Sequence, residues 1–165
     1  MNKRGHVLNA VLLVVGLGIL LEPALSVETG VRIAQLFVPV VLGALFPDVD
    51  TAFGRHRKTL HNLPVLGVFL AYPVVFGNLQ YVWIGVATHY VLDLLGSKRG
   101  IALFYPWDRE FDVPFGVSTS SRWTDAVTVL ITGAELGALA AVHRYLLPLD
   151  AAPTVATTAR AALGV

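Results

Sequence analysis

His89 and Asp93 stand four residues apart in an otherwise apolar stretch, ATHYVLDLL at residues 87–95. On a helix, this spacing projects both side chains from the same face. An imidazole nitrogen and a carboxylate oxygen there can bind one divalent metal ion together. A cation would also compensate a carboxylate that is costly to bury alone. A hydrogen-bonded polar pair packed inside a helical bundle is the alternative interpretation.

Two more carboxylates follow a proline in the segment LFPDVD at residues 45–50. Proline ends or bends a helix, so Asp48 and Asp50 are expected just past the end of an apolar helix. They could supply a third ligand to the same metal or bridge two metal ions. An ordinary turn at a helix end would use the same residue types.

Histidines complete the candidate ligand set. His56 and His61 lie in RHRKTLHN, and His6 precedes the first long apolar run. Because His56 and His61 are five residues apart, they would not share a face of one continuous helix. We therefore place His56 in the loop and prefer His61 as the ligand, with the reverse assignment left open. His6 alone would be read as an interfacial histidine.

The overall composition indicates a membrane protein. The chain has 165 residues, of which 55% are hydrophobic and 14% are charged, whereas soluble domains carry about 25% charged residues. The net charge of +1 implies no nucleic-acid partner. There is no cysteine, so thiolate metal sites are excluded and Zn²⁺, Mn²⁺ or Fe²⁺ would be held by His and Asp.

Apolar runs define the elements that must position these residues. We predict an all-α, polytopic transmembrane bundle of five helices, at about residues 6–22, 31–46, 61–76, 80–96 and 123–147. The segment GNLQ at residues 77–80 is the expected turn between the third and fourth helices. Residues 1–150 would form one domain, and the Ala/Thr-rich residues 151–165 a loose tail.

The distribution of cationic residues predicts the orientation of the bundle. Nine of the 12 Lys and Arg residues fall before helix one or in the loops after helices two and four. The positive-inside rule makes that side cytoplasmic, with the N-terminus inside, in a multi-pass cell-membrane protein. Four of the five histidines and three carboxylates then share the cytoplasmic face, with His143 at the opposite end. A cleaved signal peptide is the alternative interpretation of the first segment.

Two further features carry open interpretations. Glu135 falls near the middle of the last helix, where it is either a protonated, hydrogen-bonded acid or part of a transport pathway. The loop before that helix is rich in aromatic residues, which suits a lid over the site, a lipid-facing platform or a plain interfacial anchor. Its aromatic residues are Phe104, Tyr105, Trp107, Phe111, Phe115 and Trp123.

Three separated segments, together with the early His6, give the chain a resemblance to a known family. The segments LGALFPDVDT, HRKTLHN and THYVLDLLGSKRGIALFYPW resemble the YdjM-like family of membrane-bound metal-dependent hydrolases over roughly residues 1–107. Leu60 stands where that family usually has Thr, and Asn62 where Ser is common, and neither change removes a candidate ligand. The family is more distantly similar to zinc phospholipase C, although the second His-x-x-x-Glu pair of those enzymes is absent here.

The resemblance implies a divalent metal site, with zinc favoured and one or two ions expected. Carried over, the ligand roles fall on the residues His6, Asp48, Asp50, His56, His61, His89 and Asp93. The implied activity is hydrolysis of an ester or phosphoester, with membrane lipids or a lipid-linked phosphoester as substrate.

The implied catalytic roles fall on residues of the same motifs. Asp50 would accept the water proton, and Arg57 or Lys58 would neutralise a phosphate oxygen. A non-catalytic membrane protein with a structural metal or polar cluster is the main alternative, and a transporter that uses Glu135 is a second. The oligomeric state is not determined by the sequence.

Overall fold

The computed structural model describes residues 1–114 and 116–145, in which five α-helices are joined by turns and irregular segments. The helices are α1 (Lys3–Leu21), α2 (Val27–Leu45), α3 (Leu63–Phe76), α4 (Val82–Gly96) and α5 (Thr124–Tyr145), with a short 3-10 helix at Pro47–Ala52. Among the described residues, β-structure is limited to two isolated bridges. The prediction of an all-α bundle of five helices is confirmed. The predicted tail at residues 151–165 and Phe115 of the aromatic loop lie outside the described residues.

Side-chain caps explain where the helices begin. Asn2 caps α1, and Asn62 caps α3 by accepting a hydrogen bond from the backbone three residues on. Helix α2 begins about four residues before its predicted start because Ser26 and Thr29 form a capping box. Gly77, at a φ of 71°, ends α3 in the left-handed conformation that glycine adopts without strain. The turn at residues 77–80 is thus where the sequence predicted it.

Helices α1, α2 and α4 form the centre of the bundle, with α5 packed on α1 and α3 on α4. The main apolar cluster joins α1 to α2 through the buried residues Ala10, Leu13, Val14, Leu17, Leu36, Val40 and Ala44. Helices surrounded by lipid associate chiefly by close van der Waals packing, since lipid is as apolar as the side chains themselves. This packing fixes how α1 and α4 present their polar residues to each other.

Helices α2 and α4 approach each other backbone to backbone at two glycines. A Cβ added to Gly43 would lie 2.1 Å from the carbonyl oxygen of Val82, and one added to Gly85 would lie 2.0 Å from that of Val40. No larger residue fits at either position without separating the helices, as at other close helix crossings in membranes. The close approach carries the end of α2 to within hydrogen-bonding distance of the His89 ring, one turn beyond Gly85.

Three helical segments are long and apolar enough to cross a bilayer, judged by length and composition: Lys3–Leu21, Val27–Ala52 and Thr124–Tyr145. Helices α3 and α4 are shorter apolar helices of 14 and 15 residues. At a rise of 1.5 Å per residue they extend only about 21–23 Å, less than the ~30 Å hydrocarbon core. The sidedness of the bundle stays a prediction.

Two irregular segments meet at one end of the bundle, residues 53–62 after the 3-10 helix and residues 97–123 after α4. Arg55 Nη1 lies 3.1 Å from Asp108 Oδ2, and Lys58 Nζ lies 3.1 Å from Glu110 Oε1. The backbone nitrogen of Ala102 also donates to the carbonyl of Arg57 at 3.0 Å. These contacts hold the loop that contains both candidate histidines against the aromatic loop.

Candidate metal centre

The end of the bundle where these loops meet gathers every candidate ligand named from the sequence. Helix α1 supplies one, the 3-10 helix two, the following loop two and α4 two; these are His6, Asp48, Asp50, His56, His61, His89 and Asp93. The side chains of His6, Asp50, His61 and His89 are fully buried, and Asp93 is 1% exposed. The structure therefore brings together residues up to 87 positions apart in the chain, whereas their roles as ligands stay a prediction.

Four side-chain atoms form the inner part of the cluster. His61 Nε2 lies 3.0 Å from His89 Nε2, 4.0 Å from Asp48 Oδ1 and 3.6 Å from Asp93 Oδ2. His89 Nε2 lies 3.8 Å from Asp48 Oδ1 and 3.7 Å from Asp93 Oδ2. Ligands bound at 2.0–2.1 Å to a tetrahedral zinc ion are about 3.4 Å apart. The five separations lie on both sides of that value, so His61 and His89 each have a carboxylate oxygen at a distance suited to a shared ion.

Hydrogen bonds at the far side of each ring set the histidine tautomers. His89 Nδ1 lies 2.6 Å from the carbonyl oxygen of Ala44, which can only accept, so Nδ1 carries the proton. His61 Nδ1 lies 3.0 Å from Asp50 Oδ2 and donates in the same way. In neutral rings both Nε2 atoms then direct lone pairs at each other across 3.0 Å. Two acceptors at this distance require a cation or a shared proton between them.

The environment of His61 favours its neutral, metal-binding form. Burial lowers the pKa of the His61 imidazole, although the nearby carboxylates of Asp50 and Asp93 oppose that shift. A neutral imidazole is the form that binds a metal ion. The buried carboxylates then remain without a matching positive charge from this ring, which a divalent ion would supply.

His6 joins the cluster from α1. Its ring stacks on that of His89 with centroids 3.7 Å apart and planes inclined by 8°. Its Nε2 atom lies 3.4 Å from Asp93 Oδ1, yet neither ring nitrogen makes a hydrogen bond, and both are buried. Buried nitrogens without a partner are rare in proteins. His6 is therefore the side chain whose surroundings most directly call for an ion.

Asp50 lies behind the histidines. Its Oδ1 is 2.9 Å from His56 Nδ1, and its Oδ2 faces His61 Nδ1. A carboxylate on the distal nitrogen of a metal-binding histidine fixes the ring orientation and raises the basicity of the ligand. The geometry thus gives Asp50 a positioning contact to two rings. His56 is 36% exposed and is the most accessible histidine of the cluster.

The ligand atoms fall into two groups of three residues with no member in common, which is compatible with one or two ions. Among the described residues, His6, His89 and Asp93 offer atoms within 4.8 Å of one another, and so do Asp48, His56 and His61. The structure thus contains His/Asp groups placed to hold a metal ion. Both histidines of the loop, His56 and His61, take part in the same group, so their relative order as ligands stays open.

Arg57 contacts the cluster from the loop side. Its guanidinium donates to Asp93 Oδ1 at 3.1 Å and to Ser97 Oγ at 2.9 Å, and it also contacts the carbonyl oxygen of Arg99. The backbone nitrogen of Met1 contacts the same oxygen of Asp93. Through these contacts the guanidinium orients Asp93 and holds the start of the aromatic loop. The predicted contact between Arg57 and a substrate phosphate stays a prediction.

Lys58 differs from Arg57 in what it contacts. Its ammonium group pairs with Glu110 and with Asp108, whose side chains are 47% and 54% exposed. It therefore lies nearer the solvent-exposed rim of the cluster than Arg57 does. A cation at the rim is better placed than a buried one to meet an incoming anion. The position of Lys58 suits the predicted contact with a substrate phosphate, which stays a prediction.

The structure also contains polar residues that the sequence analysis did not single out. Asn9 Nδ2 donates to Glu135 Oε2 at 2.7 Å and to Thr132 Oγ1 at 2.9 Å. Thr88 Oγ1 lies 2.6 Å from both Glu135 Oε1 and Asn9 Oδ1. Glu135 is thus hydrogen-bonded inside the bundle. A search for Asn and Thr on the same helical faces as His6 and Glu135 would have found this network.

The chain matches the model of a known family of membrane proteins. Residues 1–160 match the YdjM inner membrane protein family, and the chain belongs to that family. No curated protein and no solved structure shows a significant match to the chain. The family places the protein in the inner membrane, in keeping with the apolar helices of the bundle.

Proposed function

We propose that the protein is a metal-dependent hydrolase that cleaves an ester or phosphoester of a membrane lipid at the cytoplasmic face. One observation carries the proposal: the Nε2 atoms of His61 and His89 converge with one carboxylate oxygen of Asp48 and one of Asp93, at separations of 3.0–4.0 Å, and all four atoms are acceptors. The two Nε2 atoms 3.0 Å apart are the centre of this arrangement. A divalent cation is the partner that such a set of atoms binds.

The donor set fits zinc, with manganese or iron as alternatives. The ligands available are imidazole nitrogens and carboxylate oxygens, and the chain has no cysteine. His61, His89, Asp48 and Asp93 would hold one ion. His6 lies at the edge of this set, with ligand atoms of His89 and Asp93 within 4.8 Å, and would join them around a second ion. When bound, the metal would lower the pKa of a coordinated water and polarise the substrate oxygen.

The residues around the ligands have distinct parts in this proposal. Asp50 and His56 form a hydrogen-bonded pair, and the more exposed His56 ring takes the water proton with Asp50 stabilising the resulting imidazolium. Lys58 neutralises a phosphate oxygen at the rim. Arg57 holds Asp93 in place. Asp50 thus acts on the proton through His56, which refines the catalytic role expected for it.

The location of the site follows from charge. Nine of the 12 Lys and Arg residues lie on the same end of the bundle as the cluster, which supports a cytoplasmic site and a cytoplasmic N-terminus. Trp107 and Trp123 are 57% and 58% exposed at this end, as suits residues that lie at the headgroup layer. A lipid phosphoester would reach the cluster from that layer.

Metal content is the first test. The protein, purified in mild detergent, is expected to contain at least one equivalent of a transition metal by mass spectrometry, and the His89→Ala/Asp93→Ala double variant to contain none. Asp108→Ala is the matched control, because its carboxylate is exposed and outside the cluster. The loaded protein is then assayed on lipid phosphoesters and on a chromogenic phosphodiester. Metal without turnover of any substrate would identify a structural site, and no metal in either protein would refute the proposal.

A further inference from the structure

A cavity of about 440 Å³ lies alongside α1. Leu13, Leu17 and Leu21 line it on successive turns of α1, so it runs away from His6. Thr88 and Glu135 line it at the near end, and Thr88 directly precedes His89 in the chain. The near end of the cavity is therefore separated from the metal centre by the Asn9–Thr88–Glu135 network.

The walls of the cavity are almost entirely hydrocarbon. Four more helices contribute lining residues, among them Leu36 of α2, Leu70 of α3, Ile84 and Ala87 of α4 and Leu139 of α5. Glu135 is the one Asp, Glu, Lys, Arg or His side chain among the lining residues that the structure describes. A ligand that fills this space has to be apolar along most of its length.

Hydrogen-bond counting makes Glu135 neutral. Thr88 has one hydroxyl proton but faces two acceptor atoms, Asn9 Oδ1 and Glu135 Oε1, both at 2.6 Å. If the hydroxyl donates to Asn9, the contact with Glu135 needs a proton on the carboxyl group. The Asn9 amide donates to the other Glu135 oxygen. A protonated Glu135 satisfies every bond, so the cavity wall carries no charge.

The cavity reaches the outer surface of the bundle. Leu70 of α3, 46% exposed, and Ala138 of α5, also exposed, both belong to its lining. Around apolar spanning helices the surrounding medium is lipid hydrocarbon. A hydrocarbon chain can therefore enter from the side, between elements that already contact lipid.

We propose that this cavity binds one hydrocarbon chain of a membrane lipid whose polar end lies toward the end of the bundle that contains the metal centre. An apolar cavity of about 150 Å³ accommodates a six-carbon ring, so about 440 Å³ has room for a chain on the order of 15 carbons. Binding of the chain stands on the cavity itself, and its identity as part of the substrate rests on the proposed hydrolase function. The substrate class is then a lipid with a long, unbranched or sparsely branched chain.

Photo-crosslinking tests the proposal. The protein is placed in vesicles of phosphatidylethanolamine and phosphatidylglycerol that contain a phospholipid with a diazirine near the end of one acyl chain, and labelled peptides are mapped. Leu17 and Leu36 are expected to be labelled although they are only 3% and 1% exposed, because the chain enters between the helices. Labelling of Leu130, which is 73% exposed, reports contact with bulk lipid.

A matched pair of variants makes the test specific. Ala138→Trp fills the cavity mouth and is expected to reduce labelling of Leu17 and Leu36 by about fivefold, with Leu130 unchanged. Ala134 lies one turn earlier on α5, is also exposed and does not line the cavity, so labelling should persist in Ala134→Trp. Ala87→Leu, which fills the cavity from α4, provides a second blocking variant if Ala138→Trp does not fold.

The outcomes separate this proposal from the hydrolase proposal. Labelling of Leu17 and Leu36 in the His89→Ala variant, which lacks a ligand, would support the chain site even if no hydrolysis were ever found. Absence of labelling at these two residues in an active, metal-loaded protein would overturn the chain site and leave the hydrolase proposal intact. Equal labelling in Ala138→Trp, Ala87→Leu and Ala134→Trp would also overturn it.

Discussion

The metal centre and the Glu135 network lie one turn apart along α1, at His6 and Asn9, yet they satisfy their polar atoms in opposite ways. Around Glu135, the Asn9 amide donates to one carboxyl oxygen, and a proton on the other oxygen completes the contact with the Thr88 hydroxyl. Around His61 and His89, acceptors face acceptors. Buried polar groups need partners in both places. The polar atoms of the first region are all satisfied within the protein, whereas the facing nitrogens of the second need a cation or a shared proton between them.

The two regions also differ in how their backbone is built. Asn9, Thr88 and Glu135 lie on three regular helices, which place them by packing alone. The metal centre adds a 3-10 helix and a loop, with Arg57 in the left-handed region at a φ of 67°. Irregular backbone lets four segments approach one point from different directions. Packing of regular helices is thus enough to form a hydrogen-bonded network between side chains, whereas a site with ligands from several segments also needs loops.

Removal of a ligand should have the largest effect. His89→Ala deletes the nitrogen at the centre of the cluster, and we expect metal affinity to fall by more than about 100-fold, beyond the 10–100-fold typical when a residue that only orients a ligand is changed. Competition with a chelator measures this affinity. Glu135 contacts Asn9, which lies one turn of α1 from His6, and the Glu135→Gln variant is expected to keep the metal. Loss of metal in both variants would contradict the distinction between a region that binds metal and one that does not.

Removal of the buried arginine should follow in size. Arg57→Met leaves Asp93 buried without its guanidinium partner, and we expect the free energy of unfolding of the metal-free protein to fall by about 3–5 kcal/mol. Denaturant unfolding in detergent measures this quantity. Arg55→Met removes an exposed cation paired with Asp108 and should leave the midpoint unchanged. Similar shifts for the two arginines would contradict the positioning role of Arg57.

The contacts of Asp50 with the rings of His56 and His61 predict an intermediate effect on metal affinity when Asp50 is changed. Asp50→Asn keeps the size of the side chain but presents an NH₂ group to one of the histidine nitrogens. We expect metal affinity to fall by about 10–100-fold while the fold is retained. Calorimetric metal titration gives the affinity, and Asp108→Asn is the exposed control. An affinity equal to that of the unmodified protein would show that Asp50 does not orient the ligands.

The Glu135 network should give the smallest effects. A glutamine amide donates where a protonated carboxyl donates, so Glu135→Gln should change the free energy of unfolding by less than about 1 kcal/mol. Thr88→Val leaves Asn9 and Glu135 without their shared partner and should cost about 1–3 kcal/mol. Chemical unfolding of both variants in the same detergent makes the comparison. A larger cost for Glu135→Gln would indicate an ionised carboxylate.

Much of the site could be predicted from residue types and spacing. The four-residue interval of His89 and Asp93 required one helical face, and the chain order of apolar runs brought His6, Asp48 and His61 to the same end of a bundle. The tautomers could not be predicted. The carbonyl of Ala44 binds His89 only because Gly43 and Gly85 let two helices touch. The network of Asn9 and Thr88 was missed because single amides and hydroxyls in apolar helices carry little sequence signal.

By itself, the sequence determined the class of the protein: five apolar helices, a polar end and a ligand set without thiolate. Those properties follow from composition and from the 3.6-residue period, which are local and additive along the chain. Only the tertiary structure decided that the inner nitrogens face each other, that Arg57 points at Asp93, and that residues of all five helices line one cavity. These features depend on distances between distant segments, and such distances are set by close packing of the whole bundle.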